Sequence, residues 1–155
     1  MSVLAVSHIA IGVRDLDRAL TFYRDVLGLR VDADYQQALT PEQGGELHRG
    51  RAIDRRQAWL RWDTGHAVSA ITLDELHDPQ PAEKIAELYD LGIHHVSLWV
   101  DDIDAIIDRA RAGGHPVIMP HVSRTEPYGE PPGGHLRSVF LQDPDGNYVQ
   151  CDQRV

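Results

Sequence analysis

Val6-Ser7-His8-Ile9-Ala10-Ile11-Gly12-Val13-Arg14-Asp15-Leu16 lines up with Ile93-His94-His95-Val96-Ser97-Leu98-Trp99-Val100-Asp101-Asp102-Ile103. The offset places His8 on His95, Val13 on Val100 and Asp15 on Asp102, so the chain reads as a tandem duplication of one small unit. In each copy a β-rich apolar segment comes first and is followed by an Asp able to cap a helix, Asp15 in one and Asp101 or Asp102 in the other. Leu16, Ala19, Leu20, Tyr23 and Leu27 then recur at helical spacing, with Gly28 where a helix would stop. Ile103, Ile106, Ile107 and Ala110 repeat the pattern before Gly113-Gly114.

Beyond each helix the period becomes two. Residues 29–36, 57–62 and 67–73 read as three strands of the first copy, with Asp63-Thr64-Gly65-His66 as a hairpin turn. Residues 116–119, 136–142 and 148–152 read as the matching three of the second, and Asp143-Pro144-Asp145-Gly146-Asn147 is a turn in which Pro presets φ and Gly or Asn accepts a positive φ. Each copy is thus βαβββ. The expected organisation is a first module over 1–75, a connector over 76–90 with a short amphipathic stretch at Ile85-Ala86-Leu88-Tyr89, and a second module over 91–155. Two segments, 38–56 and 121–134, exceed ordinary connection lengths and read as loops that could cover a binding site. Five arginines at 49, 51, 55, 56 and 61 could form a local positive wall for an anionic ligand.

Composition narrows the functional classes. A chain of 155 residues with 42% hydrophobic residues is long enough for one well-buried domain. Its formal charge of −9 gives no long-range attraction to phosphate backbones or anionic lipid, which argues against nucleic acid and membrane partners. No apolar run approaches the ~20 residues that span a bilayer, and no signal-peptide pattern opens the chain, so a cytoplasmic protein is expected. Cys151 is the only thiol, which excludes an intramolecular disulfide and makes structural zinc a poor fit.

Strand alternation puts His8, Ala10 and Gly12 on one face, His95, Ser97 and Trp99 on another, and Tyr148, Gln150 and Asp152 on a third. If the two copies pack with approximate twofold symmetry, His8 and His95 converge, and two imidazoles are half of a metal site. By parity His94 should face away from His95, and Cys151 should be a buried thiol opposite Gln150. His48, His66, His77 and His115 fall in loops or near turns, where solvated histidine is the default.

The chain resembles the vicinal oxygen chelate superfamily, which holds glyoxalase I, fosfomycin-resistance proteins, extradiol dioxygenases, methylmalonyl-CoA epimerase and bleomycin-resistance proteins. The likeness rests on residues 8–16, Phe22-Tyr23-Arg24-Asp25-Val26-Leu27-Gly28-Leu29, His95-Val96-Ser97-Leu98-Trp99-Val100 and residues 139–150 with their Asp-Pro-Asp-Gly-Asn turn. It implies an α+β fold of tandem βαβββ modules forming a curled mixed sheet around a cleft, and a homodimer. It implies four ligand positions. The first falls on His8, the third on His95 and the fourth on Gln150, where the family normally has Glu. The second falls near Ala70, with Thr72 the nearest polar residue and no acid present.

Three chemistries fit that set. His8, His95 and Gln150 could hold one divalent ion (Fe, Mn, Ni or Zn) for an O2-dependent ring cleavage of a small aromatic or oxygen-rich substrate that chelates the ion through two oxygens. The ion could instead act only as a Lewis acid in a glyoxalase-type isomerisation. A metal-free cleft could bind or sequester an antibiotic-like ligand. The paired histidines favour the metalloenzyme. His135, Tyr128 and His121 are the candidates for a general acid or base, and Trp99 for an apolar wall. Asp152 could add a carboxylate only if the register of its strand differs from this alignment.

Overall fold

The computed structural model describes residues 5–45, 49–62, 69–80, 91–124 and 133–155. They form two compact units, Met1–Glu83 and Lys84–Val155, each an α+β module with one four-stranded mixed sheet. The first contains β1 (His8–Val13), α1 (Leu16–Tyr23), β2 (Arg30–Leu39), α2 (Pro41–Gly44), β3 (Ile53–Arg61) and β4 (Ala70–Asp78), in the sheet order β1-β4-β3-β2. The second contains β5 (His95–Trp99), α3 (Ile103–Ala112), β6 (Val117–Arg124), β7 (His135–Gln142) and β8 (Tyr148–Arg154), in the order β5-β8-β7-β6. In each, the first strand pairs parallel with the last and every other pairing is antiparallel.

The same devices build both units. The Asp15 side chain accepts from the Arg18 N–H at 2.9 Å, and that of Asp102 from the Ala105 N–H at 3.0 Å, satisfying donors that a helix start leaves orphaned. A side chain from the last strand caps a further donor: Glu75 Oε2 accepts from Leu16 N–H at 3.0 Å and Gln153 Oε1 from Ile103 N–H at 3.3 Å. Each helix then lays its apolar stripe on one sheet face. Leu16, Ala19, Leu20, Phe22 and Tyr23 are buried in the first unit, with Ala58, Leu60, Ile71 and Leu73 of the sheet; Ile103, Ile106, Ile107 and Ala110 are buried in the second, with Val139, Leu141, Val149 and Cys151. Because strand side chains alternate, the residues between these are committed to the opposite face.

Element boundaries differ from the sequence reading where local geometry intervenes. The first helix closes at Tyr23, earlier than Leu27, and the chain turns down to Gly28, whose φ of +79° suits glycine. The segment 38–56 is largely ordered structure: β2 runs to Leu39, β3 starts at Ile53, and a capping box of Thr40 and Gln43 with Pro41 in the first turn makes α2. β4 extends to Asp78, into the expected connector. β6 continues beyond Met119 through Pro120 to Arg124, because it is an edge strand interrupted between Ile118 and His121 by an irregularity where Met119 has φ +48°. The turn at 63–66 and the amphipathic stretch at 85–89 lie outside the described residues.

The turn between β7 and β8 is organised by one buried carboxylate. Asp143 accepts from the backbone N–H groups of Asp145 and Asn147 at 2.9 and 2.8 Å and from the Asn147 side chain at 2.9 Å, while Gly146 takes φ +92°. This fixes the entry of β8 and hence the parity of Gln150 and Asp152. Asp143→Ala should therefore cost about 2–3 kcal/mol, since it strands several buried donors at once, and lower the thermal midpoint by roughly 5–10 °C in a circular dichroism melt.

Candidate functional site

On the first unit's helix-free face, β1 contributes His8, Ala10 and Gly12, aligned with Ala70, Thr72 and Asp74 of β4. The His8 ring sits 5.1 Å from the Trp59 ring, and Ser7 Oγ contacts its Nδ1 at 3.2 Å. Asp74 is the hub beside them. Its carboxylate accepts from Arg55 Nη1 at 2.8 Å, Gln57 Nε2 at 2.6 Å and Thr72 Oγ1 at 3.2 Å. Gln57 Oε1 in turn accepts from Tyr35 OH at 2.5 Å and Trp59 Nε1 at 3.1 Å. The face is thus an aromatic and amide platform whose polar groups are tied to one another. Thr72 is buried and donates its hydroxyl to Asp74.

The second unit repeats the arrangement with different residues. His95, Ser97 and Trp99 of β5 align with Tyr148, Gln150 and Asp152 of β8, so Asp152 stands where Asp74 does and Gln150 where Thr72 does. The His95 ring packs edge-on to Phe140 at 5.4 Å, as His8 packs on Trp59, and its Nδ1 contacts His94 Nδ1 at 2.8 Å, as His8 contacts Ser7. In both units the residue before the histidine engages Nδ1, and Nε2 is the nitrogen on the other side of the ring. Asp152, 3% exposed, accepts from the hydroxyls of Ser97 and Ser138. It also accepts from Gln150 Nε2, at 2.8 Å to Oδ1 and 3.0 Å to Oδ2. The amide nitrogen must face the carboxylate, so Gln150 Oε1 is turned away from Asp152. Burial is the main cause, and the neighbouring His94 the second, of a His95 pKa below the ordinary value, against an opposing pull from Asp152. The shift favours the neutral imidazole over the charged one.

The remaining candidates separate. His121 lies opposite Ser138 on β7 and so shares the face of Gln150 and Asp152; its Nδ1 donates to the Met119 carbonyl at 3.1 Å, which leaves the lone pair on Nε2. His135 has the parity of Arg137, whose guanidinium meets Asp104 of α3 at 2.5–2.8 Å, so it belongs to the helix-bearing face and not with Gln150. Tyr128, like His48 and His66, lies outside the described residues. His94 does not turn away from His95, because it precedes β5 and strand parity does not govern it. Three of the arginines expected to form a positive wall are engaged by acids: Arg55 by Asp74, Arg56 by Asp17 and Asp34, and Arg61 by Asp32. Trp99 is 51% exposed and stacks under the Arg154 guanidinium at 3.7 Å. Cys151 is buried, and burial pushes its thiol up to about 12, so it is inert.

Among the described residues no group of three His, Cys, Asp or Glu side chains gathers in a metal-holding arrangement, so a cation here requires a donor of another type. Also among them, no helix is long and apolar enough to cross a membrane. The hubs built on Asp74 and Asp152 were not foreseen from sequence. The signal was present: Asp74-Glu75 and Asp152-Gln153 occupy equivalent places, each pair sending its first side chain to the polar face and its second to a helix start.

The model of the Glyoxalase/Bleomycin resistance protein/Dioxygenase superfamily matches residues 5–151. A lactoylglutathione lyase from Haemophilus influenzae is 28% identical over 147 residues, covering 95% of this chain and 90% of its own. A 2-epi-5-epi-valiolone epimerase from Actinomyces is 31% identical over 114 residues, covering 70% of this chain and 58% of its own. The crystal structure of a glyoxalase family protein from Bacillus cereus superposes with a TM-score of 0.78 at 19% identity, over 100% of this chain and 97% of the other, a likeness of fold.

The low pKa of His95 has a measurable sign. The unfolded chain binds a proton at His95 near pH 6.5 that the folded chain resists, so the stability from its neutral form is complete above that pH and is lost as pH falls towards the lowered folded value. Urea unfolding from about pH 8 to about pH 5 should show this loss in the native protein, and His95→Gln should flatten that part of the curve.

Proposed function

Because the chain belongs to the Glyoxalase/Bleomycin resistance protein/Dioxygenase superfamily, we propose that it is a divalent-metal-dependent enzyme of the glyoxalase or dioxygenase type acting on a small oxygen-rich or aromatic metabolite. The proposed ligands are His8, His95 and Gln150. One observation carries the reading: each histidine is braced in the same way, by an aromatic ring against one side and by the preceding residue at Nδ1, although the bracing residues differ. A histidine that merely filled a strand position would need no such repeated support. The donor set fits a divalent cation of the Fe, Mn, Ni or Zn kind, since it offers two imidazoles and an amide oxygen whose orientation is fixed by Asp152. When bound, such an ion polarises substrate oxygens and draws them into a chelate.

The chain's own residues supply the rest. A substrate bearing two adjacent oxygens brings the negative charge that the neutral ligands lack. Gln150 cannot take a proton, so proton transfer falls to another group, and His121 is suited to it, with Nδ1 tied to a carbonyl and a strand position on the Gln150 face. Trp59 and Phe140 shape the apolar surround of the two imidazoles. The lyase and epimerase names of the two relatives suit a reaction centred on proton movement next to a polarised oxygen. A metal-free ligand-binding protein is the second reading, favoured in that no group of three His, Cys, Asp or Glu among the described residues gathers so as to hold a metal.

Elemental analysis of protein purified without an affinity tag should find a divalent metal near one per chain, and His8→Ala and His95→Ala should each lose it. A metal-free native protein whose ligand binding is unaffected by both substitutions supports the second reading. His121→Gln should retain the metal while lowering kcat about 10²–10⁴-fold, the usual worth of a general base, assayed first on lactoylglutathione, the compound in the lyase's name.

A further inference from the structure

Asp152 is a buried acid whose hydrogen-bond donors, among the described residues, are two hydroxyls and an amide, all neutral. Its counterpart in the first unit, Asp74, faces a guanidinium, that of Arg55 at 2.8 Å. A buried carboxylate without a cation is costly, and persists where something else repays it. The residue it grips stands in the fourth ligand position, where an amide replaces the acid that the family normally carries.

We propose that Asp152 is a positioning residue that makes the Gln150 amide act in place of a carboxylate: by holding Nε2 with both of its oxygens it presents Oε1 as the donor atom, and its charge offsets that of the cation through the amide. This rests on the metal reading above and deepens it. The physical basis is that hydrogen bonds from an outer acceptor fix a ligand's rotamer and increase the electron density on its donor atom, as carboxylates do behind metal-bound imidazoles. An amide is the group for which such control matters most, because its two ends are nearly isosteric and only one can ligate. Ser97 and Ser138 each donate a hydroxyl to one oxygen of that carboxylate, Oδ2 and Oδ1 respectively. The relay explains how a neutral side chain can stand at this position without the site losing its negative charge: the acid is displaced by two residues, from 150 to 152, on the same face of β8.

Co2+ alone, titrated into tag-free apoprotein, tests this by calorimetry and by the visible spectrum of the bound ion. Asp152→Asn should weaken Co2+ binding about 10–100-fold, the usual cost of losing an outer-sphere partner. Asp152→Thr, whose hydroxyl still reaches the serines but carries no charge, should lose as much, and decides the matter if the Asn variant does not fold by circular dichroism. Gln150→Glu supplies the acid at position 150 but can no longer donate to Asp152, so adding Asp152→Asn, whose amide can donate to the new carboxylate, should not weaken Co2+ binding in that background. Native-like binding by the folded Asp152 variants, or an equal loss in both the Gln and Glu backgrounds, overturns the inference while leaving the metal reading intact. If the native protein itself takes up no Co2+, the metal reading fails and the relay with it.

Discussion

Each unit depends on the parallel pairing of its first strand with its last. That ladder sets His8 in line with Ala70 and His95 in line with Tyr148, and from there the two-residue period decides every neighbour. A slip of one residue would send Asp74 and Asp152 into the apolar helix contact and bring Leu73 and Cys151 to the polar side. The pairing is held at both ends by features that only one register satisfies. At one end Glu75 and Gln153 reach the first N–H of the following helix; at the other, the Asp143 turn sets the start of β8. Helix capping and site geometry are therefore one constraint, since adjacent residues on the same strand serve them.

Within this frame the two halves have kept the framework and exchanged the chemistry. Both retain a histidine with Nδ1 engaged, an aromatic ring beside it and an acid four positions beyond the residue opposite. The first half surrounds its acid with Arg55, Gln57 and Thr72, an internally neutralised network that braces Trp59 and Tyr35. The second surrounds its acid with hydroxyls and an amide.

The duplication, the strand–helix order of each unit and the strand parities of His8, His95 and Gln150 within their own sheets were legible because they depend on periodicity and on cap residues, which are local. Asp15, Asp102 and the Asp143 turn behaved as their side-chain chemistry dictates. What sequence could not show was anything set by cross-strand partners. His135 looked like a catalytic candidate until its register placed it beside Arg137 on the helix side, and the arginines at 55, 56 and 61 looked like a positive surface until their acidic partners on neighbouring strands were seen. The strand through Pro120 was missed because a proline normally ends a strand, and only an edge position beside an irregular ladder accommodates it. Asp152 was seen but set aside, since the role of an outer acceptor leaves no pattern in a ligand motif.

The difference between Asp74 and Asp152 bears on how such a chain can change over time. A repeated unit carries a spare copy of each solution, and here one copy, sealed by its guanidinium, is committed to rigidity. The other surrounds its acid with hydroxyls and an amide, so a single codon change at 150 from amide to acid would add one unit of negative charge beside Asp152 and remove the Nε2 donor that Asp152 accepts from. Selection for a more or less anionic substrate could act through that one position, with the duplicated half as an unaltered mould.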